Sequence, residues 1–362
     1  MKIKAAVVRE KNGPFIIEEI DLDGPKAGEV LIKNTASGIC HTDLVAQSQE
    51  LPVPLPLVPG HEGAGIVEAV GAGVKDLAPG DHVVVSYAYC GECPACVAGD
   101  TAHCEKMGFL NFGGVMADGT SRLSSGGQKI HTFFGQSSFA EYSVASYRSV
   151  VKIDPDIDLA MCAPLGCGIQ TGAGAVLNTF RPRFGESIAI FGCGTVGMAA
   201  IMAARVAGCR EIIAVGGNPA SLSLARELGA TGTINRKDFG DAMSLGARVR
   251  ECTHGGAHYV FDTSGNEMMI QAGLTGCRGV FASVGASAMS LTMPFFFLAG
   301  KTIVSLVEGD ANPRLFIPLL IAYYRQGRFP FDRLNRYYPF AEIGRAVEES
   351  HRGDTIKAVI TF

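Results

Sequence analysis

The feature that most restricts how this chain can fold is a group of four cysteines within fifteen positions. Cys90, Cys93, Cys96 and Cys104 follow the spacing C-x2-C-x2-C-x7-C, with two glycines and a proline between them. Thiolates at these spacings are typical of a closed tetrahedral zinc site, in which sulfur fills every coordination position. An iron–sulfur cluster is the alternative, but its bacterial spacing ends in C-x3-C-P, whereas here the last gap is seven residues and Glu105 follows. The sequence therefore predicts a structural zinc lobe over residues 90–104.

Length and composition limit what the chain can be. With 362 residues it is too long for one ordinary core, so two domains are expected. The net charge of −4, without a basic patch, argues against a nucleic-acid partner. The uncharged runs 187–204 and 280–300 are interrupted by glycine or proline, which predicts buried strands and turns and no membrane partner. Eleven cysteines without a signal peptide indicate reduced thiols in a cytoplasmic protein.

The first half of the chain has the pattern of a β domain. Residues 1–85 contain short alternating strands separated by glycine and proline, which predicts a mostly antiparallel barrel or sandwich. The proline-rich stretch 51–59 is expected to be an ordered loop. Residues 105–138 are rich in glycine and serine and are interpreted as a long functional or interfacial loop.

Three separated segments carry the side chains of a second metal site. Residues 40–43 read Cys-His-Thr-Asp, His61 and Glu62 follow about twenty positions later, and Cys167 lies in a glycine-rich turn. A thiolate, an imidazole and a third ligand make a zinc site that keeps one position open for chemistry. Each piece alone is weak, because a single cysteine or histidine more often serves packing than ligation.

The second half of the chain changes to an alternating strand–helix pattern. An apolar strand over 187–191 runs into a G-x-G-x-x-G turn and then an apolar helix over 198–206. This context identifies a dinucleotide-binding turn, in which the glycines admit the pyrophosphate and the helix N-terminus faces it. The residues of the turn predicted to bind the coenzyme are Gly192, Gly194, Thr195, Val196 and Gly197. We interpret residues 169–306 as a Rossmann domain with a doubly wound parallel sheet.

The end of the next strand bears on the choice of coenzyme. It lacks the acidic residue that usually bonds the adenosine ribose, and reads Val-Gly-Gly-Asn at 215–218. Without a carboxylate nothing repels a 2′-phosphate, and Gly216 is expected to leave room for one. The predicted binding residues are Gly216, Gly217, Asn218 and Ser221, with Arg226 or Arg236 as candidate cations. NADP(H) is therefore favoured over NAD(H).

Assembled in this order, the motifs resemble those of the zinc-dependent medium-chain alcohol dehydrogenases. The resemblance covers essentially the whole chain, and residues 166–176 and the long insert look most like those of the benzyl and aryl alcohol dehydrogenases. It implies a GroES-like catalytic domain over 1–168 and 307–362, with the active site in the cleft beside the Rossmann domain. It also implies two zinc ions per chain and a homodimer, with a homotetramer as the alternative.

The resemblance also implies a role for each residue. Cys40, His61 and Cys167 would bind the catalytic zinc, and Cys90, Cys93, Cys96 and Cys104 the structural one. Glu62 would assist ligand exchange, Asp43 would hold His61, and Thr42 would take the hydroxyl proton. Thr171 would brace the nicotinamide, and His41 and Lys357 would approach the coenzyme pyrophosphate.

The sequence departs from the horse-liver-type pattern of the family at two positions. Val45 stands where that type has a relay histidine, so the proton is expected to leave through the ribose hydroxyl and water. Ser86 replaces a bulky aromatic residue, which makes room for an aryl ring beside Phe133 and Phe134.

The expected activity is reversible hydride transfer between a primary aryl or allylic alcohol and NADP⁺, with zinc as Lewis acid. The alternatives are an NAD-dependent aryl alcohol dehydrogenase, glutathione-dependent formaldehyde or polyol oxidation, a zinc-free quinone reductase, and a coenzyme-binding protein without enzymatic activity.

Overall fold

The computed structural model describes residues 1–284 and 295–362. The strands are β1 Lys2–Val7, β2 Ile16–Leu22, β3 Glu29–Gly38, β4 Leu57–Val58, β5 Gly63–Val70, β6 His82–Val85, β7 Leu123–Ser125, β8 Gln128–Thr132, β9 Tyr142–Ser146, β10 Val150–Lys152, β11 Ser187–Phe191, β12 Glu211–Gly216, β13 Gly232–Asn235, β14 Ala257–Asp262, β15 Cys277–Ser283, β16 Thr302–Ser305, β17 Asn335–Pro339 and β18 Lys357–Thr361. The α-helices are α1 His41–Gln47, α2 Pro94–Val97, α3 Met107–Phe112, α4 Leu159–Cys162, α5 Gly168–Gly174, α6 Thr195–Ala207, α7 Pro219–Leu228, α8 Ala242–Cys252, α9 Glu267–Gly276, α10 Pro313–Arg325 and α11 Ile343–Arg352.

Contacts between residues divide the chain into two compact units. The first unit comprises residues 1–167, 312–319 and 332–362, and the second comprises 168–311 and 320–331. The division into a catalytic domain of 1–168 with 307–362 and a coenzyme domain of 169–306 stays a prediction.

The first unit is built from two mostly antiparallel sheets. One has the order β10-β6-β5-β3-β18-β17, with β9 also paired to β3, and the other has the order β1-β2-β7-β8-β4. The central strand β3 is almost wholly buried, because sheet partners cover both of its edges and apolar side chains pack on its faces. This arrangement delivers Cys40 to the end of β3 and His61 to the start of β5.

The long insert of the first unit is more ordered than its composition indicates. Residues 105–138 were expected to form a loop, but they contain α3 and the antiparallel hairpin of β7 and β8. Gly126 and Gly127 both have positive φ and make the hairpin turn, so glycine here marks a tight turn between strands and not a structureless segment.

The second unit contains one parallel sheet of six strands in the order β13-β12-β11-β14-β15-β16. This order, with β11 as first strand, is that of the Rossmann fold, in which the chain reverses direction along the sheet after its third strand. Strand β11 is buried throughout and hydrogen-bonds to β12 and β14, so the predicted doubly wound parallel sheet is confirmed. Residues 175–180 continue α5 as a π-helix.

In the part of the chain that the structure describes, no single helix is long and apolar enough to cross a membrane. One bent pair, formed by residues 159–166 and 168–180, passes the same test by length and composition.

Candidate metal centres and coenzyme site

The structure brings the four cysteines of the lobe together. Cys90, Cys93, Cys96 and Cys104 have sulfur atoms that all lie within 4.8 Å of one another, and the Sγ atoms of Cys90 and Cys96 are 3.9 Å apart. Four bonds of about 2.3 Å from zinc to tetrahedral sulfurs require separations of about 3.8 Å, so the cluster fits this ion. Hydrogen bonds from the backbone of Cys96 and Glu105 lower the pKa of Cys93 to about 6, whereas burial raises the pKa of Cys96 to about 12, so the four thiols differ in how readily they become thiolates.

A second cluster unites residues from three distant segments. The ligand atoms of Cys40, His61, Glu62 and Cys167 also lie within 4.8 Å of one another. All are buried except Cys40, which is half-buried. Hydrogen bonding to Cys167 holds the pKa of Cys40 well below its ordinary value against the opposing effect of burial, and the charge of His61 adds to this. Two thiols and an imidazole are a donor set suited to zinc.

Asp43 fixes the orientation of the His61 ring. Its Oδ1 atom accepts a hydrogen bond from His61 Nδ1 at 2.9 Å and another from the backbone N–H of Gly60 at 2.9 Å, while Oδ2 accepts from the backbone N–H of Cys40 at 3.0 Å. With Nδ1 as donor, the lone pair of the ring is on Nε2. This buried Nε2 atom has no hydrogen-bond partner among the described residues, which is the state of a nitrogen prepared for a metal.

Lys357 lies at the second cluster and not in an exposed position suited to phosphate. Its ammonium donates to both oxygens of Glu62, at 2.8 and 3.0 Å, and to the carbonyl of Ile39 at 2.9 Å. Both side chains are almost completely buried. Burial raises the pKa of Glu62, and the charge of Lys357 opposes this. The ammonium is therefore occupied by Glu62, which differs from the expected approach to the coenzyme pyrophosphate.

Gly38 makes room for this ion pair. A Cβ atom at Gly38 would lie 1.9 Å from Glu62 Oε2, so any side chain there would displace the carboxylate. The glycine at the end of β3 is thus required by the site and not by a turn.

Phe133 and Phe134 pack directly on the imidazole of His61. The ring of Phe134 stacks on it with centroids 4.4 Å apart, and that of Phe133 meets it edge-on at 5.5 Å. Both rings are buried, and Phe134 has a φ of 50°. The structure places the pair behind a predicted metal ligand, and their part in the substrate pocket stays a prediction.

Ser86 and Gln136 brace the same region. The buried hydroxyl of Ser86 donates to the carbonyl of Gly166 at 2.7 Å, directly before Cys167. Gln136 Nε2 donates to the carbonyls of His61 at 3.0 Å and Ser86 at 3.1 Å. Nothing in the sequence distinguishes Gln136, because a single glutamine in a glycine-rich insert carries no signal of its own.

The two remaining residues of the first motif lie on α1. The Oγ1 atom of Thr42 is 3.7 Å from Cys40 Sγ, so its hydroxyl adjoins the second cluster. His41 is exposed and lines a small cavity with His351. Val45 is buried, which agrees with its lacking a polar role.

Glycine occupies each of the three positions of the turn after β11 for a different physical reason. Gly192 has a φ of 103°, and a Cβ there would lie 2.3 Å from Thr263 Oγ1. A Cβ at Gly197 would lie 1.9 Å from the carbonyl of Gly192, which shows how closely helix and turn approach. At Gly194, which caps α6, a Cβ would meet nothing within 4 Å. This open space above a helix N-terminus fits the pyrophosphate of a dinucleotide.

Helix α6 carries the rest of this motif. Thr195 and Val196 form its first turn, and a Cβ at Gly172 would lie only 2.0 Å from the carbonyl of Val196. The helix that bears Thr171 is therefore packed backbone to backbone on α6. Thr171 itself is buried, and its hydroxyl lies 3.5 Å from a carboxylate oxygen of Glu308.

The residues after β12 are arranged differently from expectation. A Cβ at Gly216 would lie 2.9 Å from Cys193 Sγ, so the room expected beside Gly216 is already filled by that sulfur. Asn218 accepts the N–H of Ala220 at 2.9 Å as the cap of α7, and Ser221 is buried in that helix. Both side chains thus have a structural use.

Cations lie instead beside Gly217. A Cβ there would be 3.0 Å from Arg236 Nε and 3.4 Å from Lys237 Cε. Both side chains are exposed, and neither forms an ion pair with a described residue. Arg226, the other candidate cation, donates instead to Thr233 Oγ1 at 2.9 Å.

Comparison with known proteins agrees with this geometry. Residues 26–155 match the model of the alcohol dehydrogenase GroES-like domain, and residues 195–320 match that of the zinc-binding dehydrogenase family. The chain is 41% identical to geraniol dehydrogenase of Castellaniella defragrans, over 99% of this chain and 97% of that protein. It is 37% identical to S-(hydroxymethyl)glutathione dehydrogenase of Saccharomyces cerevisiae, over 99% and 96%. The crystal structure of benzyl alcohol dehydrogenase from Acinetobacter calcoaceticus superposes with a TM-score of 0.95 at 40% identity, covering 100% of this chain and 99% of that one.

The fold and these matches define an oxidoreductase that works with zinc and a nicotinamide coenzyme. More specifically, the chain belongs to the zinc-dependent medium-chain alcohol dehydrogenase family.

Proposed function

We propose that this enzyme transfers hydride reversibly between primary aryl or allylic alcohols and NADP⁺. The observation that carries the proposal is the cluster of Cys40, His61 and Cys167, in which Asp43 holds the His61 ring and Nε2 has no hydrogen-bond partner within residues 1–284 and 295–362. These three residues bind the catalytic zinc, and the four cysteines of residues 90–104 bind a structural zinc. When bound, zinc supplies a Lewis acid for the substrate oxygen and the coenzyme carries the hydride.

Several residues of the chain have separate roles in this reaction. Thr42, next to Cys40, takes the proton of the alcohol, and Asp43 holds the His61 ring. Lys357 holds the Glu62 carboxylate at the metal cluster through two hydrogen bonds. Because Val45 is apolar, the proton continues to solvent without a histidine relay.

The aryl or allylic preference rests on the surroundings of the metal cluster. Phe133 and Phe134 supply an aromatic wall around His61, and Ser86 takes little space. The names of two relatives specify benzyl alcohol and geraniol, an aryl and an allylic alcohol. A second candidate is S-(hydroxymethyl)glutathione, because the yeast relative of similar identity is named for it.

A substrate panel separates these candidates. Initial rates are measured with benzyl, cinnamyl and short aliphatic alcohols and with S-(hydroxymethyl)glutathione. We expect kcat/KM to be highest for the aryl and allylic alcohols. A higher value for the glutathione adduct would replace the first candidate by the second.

Metal analysis tests the ligands. We expect two zinc ions per chain in the wild type and one in Cys40→Ser, with turnover abolished and the fold retained. Cys252→Ser is the matched control, because Cys252 belongs to neither cluster, and it should keep both ions. Retained activity in Cys40→Ser would refute the assignment of this centre.

The preference for NADP(H) is supported by Arg236 and Lys237 beside Gly217. Hydrogen bonds to charged groups contribute about 1.5–3 kcal/mol, so removing both cations should raise KM for NADP⁺ roughly 10- to 100-fold or more. KM for NAD⁺ should stay nearly constant. Arg226→Ala, which removes a cation held by Thr233, is the control. A wild-type preference for NAD⁺ would refute this part of the proposal.

We further propose a catalytic domain of residues 1–168 and 307–362, a coenzyme domain of 169–306, and a cytoplasmic homodimer or homotetramer. The eleven free thiols suit a reducing compartment. Of the strands that the structure describes, β15 is the one that pairs with β16, and Ile303 on β16 is half exposed, which offers an edge for pairing. Light scattering of the purified enzyme measures the assembly, and a monomer would contradict this expectation.

A further inference from the structure

The turn formed by residues 308–310 has an unusual backbone. Glu308, Gly309 and Asp310 have φ angles of 51°, 69° and 48°, so three successive residues adopt the left-handed region. Only glycine enters this region without steric cost, and non-glycine residues remain there only when their surroundings hold them. Strain of this kind is concentrated at functional sites and persists only where the contacts of the turn maintain it.

The turn is held against the helix α5 and its π-helical continuation, all within the second unit. Asn178 Nδ2 donates to the carbonyl of Gly309 at 3.1 Å, and Thr179 Oγ1 donates to Asp310 Oδ2 at 2.6 Å. A Cβ at Gly174 would lie 2.2 Å from the carbonyl of Gly309, so the two backbones touch. The position of the turn relative to α5 is therefore fixed.

This contact brings a carboxylate to Thr171. Glu308 Oε2 accepts a hydrogen bond from Gln170 Nε2 at 3.1 Å and lies 3.5 Å from Thr171 Oγ1. Gln170 and Thr171 are buried, and Glu308 is half-buried. A charge in such a place is screened by solvent less than one on an open surface.

We propose that Glu308 is a positioning residue whose charge favours the oxidised form of the bound coenzyme. The inference rests on the proposed function, which places Thr171 at the nicotinamide. The oxidised ring carries a positive charge and the reduced ring carries none, so a fixed carboxylate behind Thr171 stabilises NADP⁺ relative to NADPH. This would favour aldehyde reduction on the enzyme, in which the reduced coenzyme would supply hydride to the carbonyl carbon and Thr42 would return a proton to the oxygen.

The test compares binding of the two coenzyme forms to the zinc-loaded enzyme. The dissociation constant of NADP⁺ is measured by calorimetry and that of NADPH by its fluorescence, which no tryptophan of this chain obscures. In Glu308→Gln, which keeps an oxygen acceptor for Gln170, we expect NADP⁺ to bind about tenfold more weakly, equal to ~1.4 kcal/mol. The binding of NADPH should change less than twofold. An equal change for both forms, or no change, would overturn the proposal.

Two further variants separate charge from shape. Glu308→Asp retains the charge, and aspartate tolerates the left-handed region, so the ratio of the two dissociation constants should stay near that of the wild type. Asp310→Asn removes an equal charge on the side of the turn that faces Thr179. The ratio of the two dissociation constants should therefore stay at the wild-type value. If Asp310→Asn changed the ratio of the dissociation constants as much as Glu308→Gln, the net charge of the protein and not the position of Glu308 would be responsible. The inference would then fail.

Thr171→Val distinguishes failure of the inference from failure of the proposed function. If this variant binds both coenzyme forms as tightly as the wild type, Thr171 does not contact the coenzyme, and the placement and the inference fall together. If it weakens binding while Glu308→Gln leaves the ratio unchanged, only the inference is wrong.

Discussion

Replacing Lys357 by methionine should be among the most destabilising single changes in the first unit. The ammonium forms three hydrogen bonds of 2.8–3.0 Å, two of them to Glu62, and the side chains are 2% and 0% exposed. Methionine fills a similar volume but leaves the Glu62 carboxylate buried without its cation. Breaking a buried pair in this way costs about 3–5 kcal/mol, because the remaining charge is not solvated.

The measurement is urea-induced unfolding of the zinc-loaded protein, followed by far-ultraviolet circular dichroism, with zinc content determined for each variant. Lys2→Met is the matched control, because Lys2 pairs with Asp21 at 3.0 Å on the surface, where 57% and 41% of the side chains are exposed. A surface pair of this kind contributes at most about 1 kcal/mol.

A double variant completes the test. Glu62→Gln combined with Lys357→Met removes both charges of this pair, so the double variant should recover a large part of the stability lost in Lys357→Met. A free energy of unfolding for Lys357→Met within about 1 kcal/mol of the wild-type value would refute this role of the buried pair. The same conclusion would follow if the losses in free energy of unfolding of Glu62→Gln and Lys357→Met simply added in the double variant.

Three more predictions concern other parts of the molecule. Gly172→Val puts a side-chain carbon 2.0 Å from a carbonyl of α6, so it should weaken coenzyme binding and lower the melting temperature, and unchanged values would contradict the packing. Cys96→Ser should release one zinc and increase proteolysis within 90–104, whereas retention of both ions would disprove the structural site. Burial and then Arg278 lower the pKa of His258, whose Nδ1 accepts the N–H of Ser187 at 3.0 Å. The unfolded state then binds the proton more readily, so stability should fall as the pH drops below about 6.5. In His258→Gln the melting temperature should depend less on pH below about 6.5 than in the wild type. An equal dependence in the two proteins would refute the role of this imidazole. The other charged side chains around His258 are those of Glu186, Arg210 and Glu211.

The sequence predicted the fold class, and it predicted that four cysteines come together, because short patterns were sufficient for both. The spacing of four cysteines and the strand–glycine–helix pattern at 187–206 are local, so geometry over a few residues determines what they can form. The insert 105–138 shows the limit of such reasoning. Its glycine content predicts a loop, yet β7 and β8 pair there. Two glycines with positive φ form the tight turn between these strands. Composition alone does not distinguish such a turn from an irregular loop.

What only the tertiary structure decided is which distant side chains meet. Lys357 and Glu62 are 295 positions apart, and the fold pairs them with each other, whereas the family resemblance implied that Lys357 approaches a phosphate of the coenzyme. Gln170 and Glu308 are 138 positions apart and meet because Gly174 and Gly309 allow their backbones to touch. Burial excludes water from the contact between Lys357 and Glu62, and an unpaired charge there would be costly, so packing selects the partner of each charge. The sequence by itself determined which side chains were available for chemistry, and the three-dimensional packing determined which of them act together.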